Sequence, residues 1–127
     1  MGPRQATPIG EMWLEDGILW HRIDSETVSE EDARDVLRIV GELTGGRPAP
    51  AVVDMRSIGF ASKEARQKFA GSPESSYEIA TGLVVSSSSS RIMAQAFLKL
   101  SKPDRPVGVF TDMAEAREWV GQYRFES

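Results

Sequence analysis

The chain has 127 residues with 40% hydrophobic and 27% charged content, enough for one domain with its own apolar core. It has no cysteine, which excludes a disulfide framework and a thiolate nucleophile or metal ligand, and its net charge of −4 argues against a broad nucleic-acid footprint. No apolar run approaches the roughly 20 residues of a membrane span, and the first residues lack the charged start and apolar core of a secretory signal. These features predict a cytoplasmic protein.

Residues 1–10, with Gly2, Pro3 and Pro8, read as a flexible leader, and residues 11–127 as a single domain. Glu11 to Glu15 and Ile18 to Ile23 flank Asp16-Gly17, the dipeptide that supplies positive φ for a two-residue turn, so the domain opens with an antiparallel hairpin. Ser29 caps a first helix in which Ala33, Val36, Leu37, Val40 and Leu43 form one apolar stripe. Asp32 is shorter than the Glu or Gln of a full capping box, which leaves the reciprocal bond open at this point. Gly45-Gly46 ends that helix and Pro48 prevents its continuation.

Ala51 to Met55 is a short apolar strand interrupted by Asp54, of the kind covered on both faces. Ser62 caps a second helix carrying Ala65 and Phe69, broken by Gly71 and Ser72-Pro73, and Glu74 to Ala80 reads as a further helical turn or two. Thr81 to Ser86 is another buried strand, and Ile92, Met93, Ala96, Phe97 and Leu100 mark a third helix that ends near Ser101. Val107 to Thr111 is the last strand. Asp112 and Glu115 form a capping pair for a final helix with Ala116, Trp119, Val120 and Tyr123 inward. Strands alternating with helices give an α/β domain: a mainly parallel sheet of about five strands, the N-terminal antiparallel hairpin and about four helices.

The order of these elements resembles the STAS or SpoIIAA-like family, the anti-anti-sigma-factor fold, and within it a branch of small stand-alone bacterial proteins. The resemblance rests on Asp16-Gly17-Ile18-Leu19, Val52-Val53-Asp54-Met55, the Ser62 to Ala70 helix, Ser90-Arg91-Ile92-Met93-Ala94, Lys102-Pro103-Asp104-Arg105-Pro106, and Phe110-Thr111-Asp112 leading to Glu118-Trp119. It implies a non-enzymatic regulatory module that presents a helix start to a protein partner and forms a homodimer. In regulatory members a strand ending in Asp leads to an Asp-Ser pair at that helix start, and the serine is phosphorylated. Ser62 falls on the family's Asp and Lys63 on its serine, so the usual phosphoacceptor is absent or displaced by one residue.

Asp54, Ser62 and Lys63 are therefore the candidate regulatory or partner-binding residues. Read from the residues alone, Ser62 is first a helix cap and Asp54 a residue that orders the loop after its strand. The alternative is a small-molecule site for an anion, nucleotide or lipid. Arg56, Ser87, Ser90 and Arg91 are its candidate contacts, because strand carboxyl ends, a serine-rich helix start and a guanidinium can hold an anion. The serine run lacks the glycines and lysine of a P-loop. His21, the single histidine, has no cysteine or acidic cluster in sequence around it, so no catalytic constellation, metal motif or cofactor is expected. Trp13, Trp20 and Trp119 read as core or edge packing, with a hairpin tryptophan as an alternative dimer anchor. An apolar cavity beside the Ser62 or Ser90 helix start would favour a ligand, and a flat face there a protein partner.

Overall fold

In a computed structural model that describes residues 4–71 and 78–123, six strands form one sheet in the order β1-β2-β3-β5-β7-β8. These are β1 (Gln5–Thr7), β2 (Gly10–Glu15), β3 (Ile18–Ile23), β5 (Ala49–Asp54), β7 (Glu78–Val84) and β8 (Val107–Phe110). The first three are antiparallel and the rest parallel, while β4 (Thr27–Val28) and β6 (Phe60–Ala61) form a separate two-stranded parallel ladder. The helices are α1 (Glu30–Thr44), α2 (Lys63–Gly71), α3 (Ser88–Ala96) and α4 (Met113–Gly121). The expected α/β fold with its hairpin and four helices is present. Among the described residues no helix is long and apolar enough to cross a membrane.

The hairpin turn has φ of 55° at Asp16 and 75° at Gly17, the paired positive values that match the right-handed twist of β2 and β3. Ser29 and Asp32 complete a full capping box: Asp32 N–H donates to Ser29 Oγ at 3.1 Å, and Ser29 N–H to the Asp32 carboxylate at 3.0 Å. The shorter Asp therefore suffices. Gly45 and Gly46 end α1 with φ of 62° and 79°.

Three sequence expectations change. Residues 5–10 are no loose leader: β1 pairs with β2, and Ile9 is fully buried. The Pro8 that suggested looseness instead sits with Ile9 in a tight reversal, in which Ile9 N–H donates to Thr7 Oγ1 at 3.2 Å and Ile9 C=O accepts from Asp24 N–H at 2.8 Å. Gly10 is needed there, since a Cβ would overlap the Arg22 carbonyl oxygen. Glu78 to Ala80 belong to β7 rather than to a helical turn; residues 74–77 of that expectation lie outside the described residues. The third helix widens into a π-helical turn at Phe97–Ser101, ended by Lys102 at φ 52°. The wider turn breaks the helical phase, so Phe97 is buried while Ile92 and Leu100, assigned to the same apolar stripe, are 62% and 74% exposed.

The sheet is covered on both faces. Helix α4 packs on β5, β7 and β8, where Val52, Val84, Ala116 and Val120 form a small core flanked by Trp20 and Trp119. Trp13 stacks on Trp20 at 6.3 Å, and Trp119 lies 5.6 Å from Phe110 and 5.3 Å from Tyr123, so all three tryptophans take part in ring packing. The larger core lies on the opposite face, where Leu19, Ala51 and Leu83 of the sheet meet Val36 and Val40 of α1, Ala65 of α2, and Ala94 and Phe97 at the end of α3.

Candidate functional site

Asp54 ends β5 as a buried carboxylate whose partner is two residues away. Arg56 Nε and Nη2 donate to its two oxygens at 2.8 and 2.7 Å, and Arg56 N–H donates to Oδ1 at 3.2 Å. Burial alone would raise the Asp54 carboxyl, but these hydrogen bonds and the charges of Arg56 and Arg22 outweigh it and hold the group below the usual range. The two candidates form a closed pair that orders the loop leaving β5.

Ser62 is half-buried at the start of α2, where its Oγ accepts from Ala65 N–H at 3.1 Å and its C=O from Arg66 N–H at 3.0 Å. Lys63 is exposed at the first position of that helix. The serine run is likewise a helix start. Ser90 N–H donates to Ser87 Oγ at 3.1 Å, and the fully buried Ser90 Oγ accepts from Ser86 N–H and Ser87 N–H, each at 3.1 Å. Arg91 lies exposed beyond them. Replacing Ser90 with Ala leaves two backbone donors without their acceptor, so Ser90→Ala should cost about 1–2 kcal/mol in urea unfolding. Exposed Ser89→Ala should cost almost nothing; equal effects of the two would refute this role.

The more substantial feature is a cavity of about 90 Å³ between the sheet and helices α1 to α3. Its floor is Leu19, His21, Val53 and Leu83, and Arg66, Phe69, Met93 and Phe97 form its helical wall. Val53 belongs to a central strand covered by helices, yet it is only half-buried, as are Arg66, Phe69 and Met93. The cavity therefore opens between α2 and α3, next to the helix that Ser62 begins.

One end of this apolar cavity is polar and closed. Arg105, with a side chain 6% exposed, donates from Nε to Thr81 Oγ1 at 2.8 Å, and Thr81 Oγ1 donates to Glu78 Oε1 at 2.9 Å. Arg105 Nη2 stands 3.5 Å from the same Glu78 oxygen, whose side chain is 8% exposed. Arg105 also reaches the Ala70 carbonyl at 3.5 Å, tying the loop before β8 to the end of α2. His21 lines the floor, with Thr7 Oγ1 3.4 Å from its Nε2. Burial pushes its imidazole down to about 4, so it is neutral near pH 7. Sequence reading did not single out Glu78, Thr81, Arg105 or Arg66. The nearest signal was the Lys102 to Pro106 loop, which carries part of the family resemblance. Among the described residues no three His, Asp or Glu side chains gather as metal ligands would.

Comparison with solved structures places this architecture. An uncharacterised protein of the DUF3478 family from Shewanella loihica PV-4, described as having a SpoIIAA-like fold, superposes with a TM-score of 0.57. It shares 10% identity over 93% of this chain and 90% of its own, a likeness of fold alone. A protein of unknown function from Arthrobacter sp. FB24 shares 22% identity over 87% of this chain and 97% of its own, with a TM-score of 0.34. No curated protein matches the sequence. The sequence expectation of a SpoIIAA-like fold holds, and the match of residues 12–124 to the family described as Domain of unknown function (DUF7793) makes the chain a member of that family.

Proposed function

We propose that the chain is a non-enzymatic SpoIIAA-like module that binds a small, mainly apolar molecule in the cleft between α2 and α3. The observation that carries this reading is the cavity itself: apolar walls, a solvent opening at Val53 and one neutralised polar end. Binding sites for small molecules have that composition, a largely apolar lining with a few placed polar groups. Binding rather than catalysis suits the acid–base residues here. Asp54 is closed on Arg56, Glu78 is held by Thr81 and Arg105, and His21 is buried beside a hydroxyl.

A STAS-type interaction module is the second reading, and a different observation favours it. Phe60 is 56% exposed on β6, and Ile92 and Leu100 stand exposed on α3 and the π-helical turn, around the start of α2 with Ser62 and Lys63. Exposed apolar side chains on neighbouring elements suit a protein partner or a second copy of the chain.

One pair of variants separates the readings. Toluene added to isotope-labelled protein should shift the NMR signals of Val53, Leu83 and Phe97, and Val53→Phe, which fills the floor, should abolish those shifts. Leu100→Glu should leave them intact and should remove any protein that native mass spectrometry finds retained with the chain from its own cell. Absence of toluene shifts in the wild type, or their survival in Val53→Phe, would sink the ligand reading.

A further inference from the structure

We infer that the ligand carries a single anionic head on a compact apolar body, with the head seated at Arg66 and the body on the floor formed by Val53 and Leu83. This rests on the ligand-binding reading above and adds the chemistry of the ligand.

The closed end of the cavity does not ask for a charge. Glu78 and Arg105 already meet each other there through Thr81, and an incoming anion would face the Glu78 carboxylate in a buried setting. The open end is different. Arg66 is half-buried, and its Nε donates to the Ala61 carbonyl at 3.3 Å, which fixes the plane of the guanidinium. Among the described residues no carboxylate pairs with it, although the chain as a whole has 19 acidic against 15 basic residues.

Arg66 also borders a second space. A groove of about 350 Å³ outside the cavity is lined by Lys63, Arg66, Gln67, Leu100 and Ser101. Each polar side chain in it can donate a hydrogen bond, two of them are cationic, and none is a carboxylate. Lys63 and Arg66, three apart on α2, lie on one side of the helix. A guanidinium in this position matches a carboxylate or phosphate through paired N–H donors. One residue thus joins an apolar cavity to a groove made of donors, the arrangement that an amphiphile with one anionic end requires. At about 90 Å³ the cavity is smaller than the roughly 150 Å³ space that accepts benzene, so the part of the body it encloses is at most a ring or a chain of about six carbons.

The test titrates the full chain with hexanoate, hexyl phosphate and hexan-1-ol, followed by NMR. The wild type should bind at least one of the anions about tenfold or more tightly than the alcohol, and which anion prefers the site identifies the head. Arg66→Gln should erase that preference without weakening hexan-1-ol, and Arg66→Lys should restore part of it. Thermal unfolding of each variant checks that it is folded. If neither anion outbinds the alcohol, or the preference survives in Arg66→Gln, the anionic head is wrong while toluene binding keeps the cavity reading. If none of the three binds while toluene still does, the amphiphile is wrong; if toluene fails as well, both inferences fall.

Discussion

Arg105→Met is expected to destabilise the protein by about 3–5 kcal/mol, because it leaves the Glu78 carboxylate buried without its cation. The arginine is the hub of a closed set of bonds: Thr81 relays between it and Glu78, and its second arm holds the Ala70 carbonyl. A buried pair adds little net stability over apolar residues of the same volume, but a broken one exposes the full desolvation penalty of the survivor. The double variant Glu78→Gln/Arg105→Met should therefore recover most of the loss, since Gln still accepts from Thr81 and carries no charge. Urea unfolding of the two single variants, the double variant and the wild type gives the coupling directly. A loss below about 1 kcal/mol in Arg105→Met, or strict additivity in the cycle, would show that the pair is not the buried unit described.

Acidification should act through His21 before it acts through the carboxylates. The imidazole has an ordinary value of 6.5 and is pushed down to about 4 by burial. Between these values the unfolded chain binds a proton that the folded chain refuses, so folding stability falls as pH drops from about 6.5 to about 4. The difference between 6.5 and about 4 corresponds to about 3 kcal/mol. Asp54 works in a lower window: its folded value lies below the ordinary one, so its contribution is present above the unfolded value and lost as pH falls through the folded value. In His21→Met the upper loss should vanish and the lower one remain; in Asp54→Asn the reverse should hold. Urea unfolding between pH 7 and pH 3 reads both. An unchanged slope between pH 6.5 and 4 in His21→Met would overturn the assignment.

These two predictions turn on Glu78, Arg105 and His21, and they mark where sequence reading reached its limit. The Asp16-Gly17 turn, the Ser29 cap, the Gly45-Gly46 stop and the apolar strand before Asp54 are local devices, set by φ preference, capping and short-range periodicity. Each was legible, and their order was enough for the fold. Local reading failed where a residue acts on something distant. Pro8 suggested looseness because proline marks a turn without showing that the three residues before it pair with the strand after it, or that Ile9 is buried and bonded to Asp24. Nothing local marks Glu78, read within a helical turn, or Thr81, read as the start of a buried strand, as members of one polar set, because Arg105, which bonds to Thr81 and faces Glu78, comes from the loop before β8, more than twenty residues later. Leu100 read as inward because a π-helical turn changes the helical phase without a local signal.

The candidate residues divide in the same way. Asp54, Arg56, Ser62, Ser87 and Ser90 stood out by their place at a strand end or a helix start, and residues at such places bond to their own neighbours, so they are largely occupied in closing turns and capping helices. The cavity belongs to no segment. Its floor comes from β3, β5 and β7, its wall from α2 and α3, and its opening from a gap between two helices. By itself the sequence determined the hairpin, the four helices, the central strands in their order and the SpoIIAA-like frame, since those follow from local backbone preference and periodic burial. Only the tertiary structure decided that an apolar cavity lies behind the helix that Ser62 begins, and that Arg66 stands at its mouth. A cavity is a property of how separate faces fail to meet, and no single stretch of chain carries it.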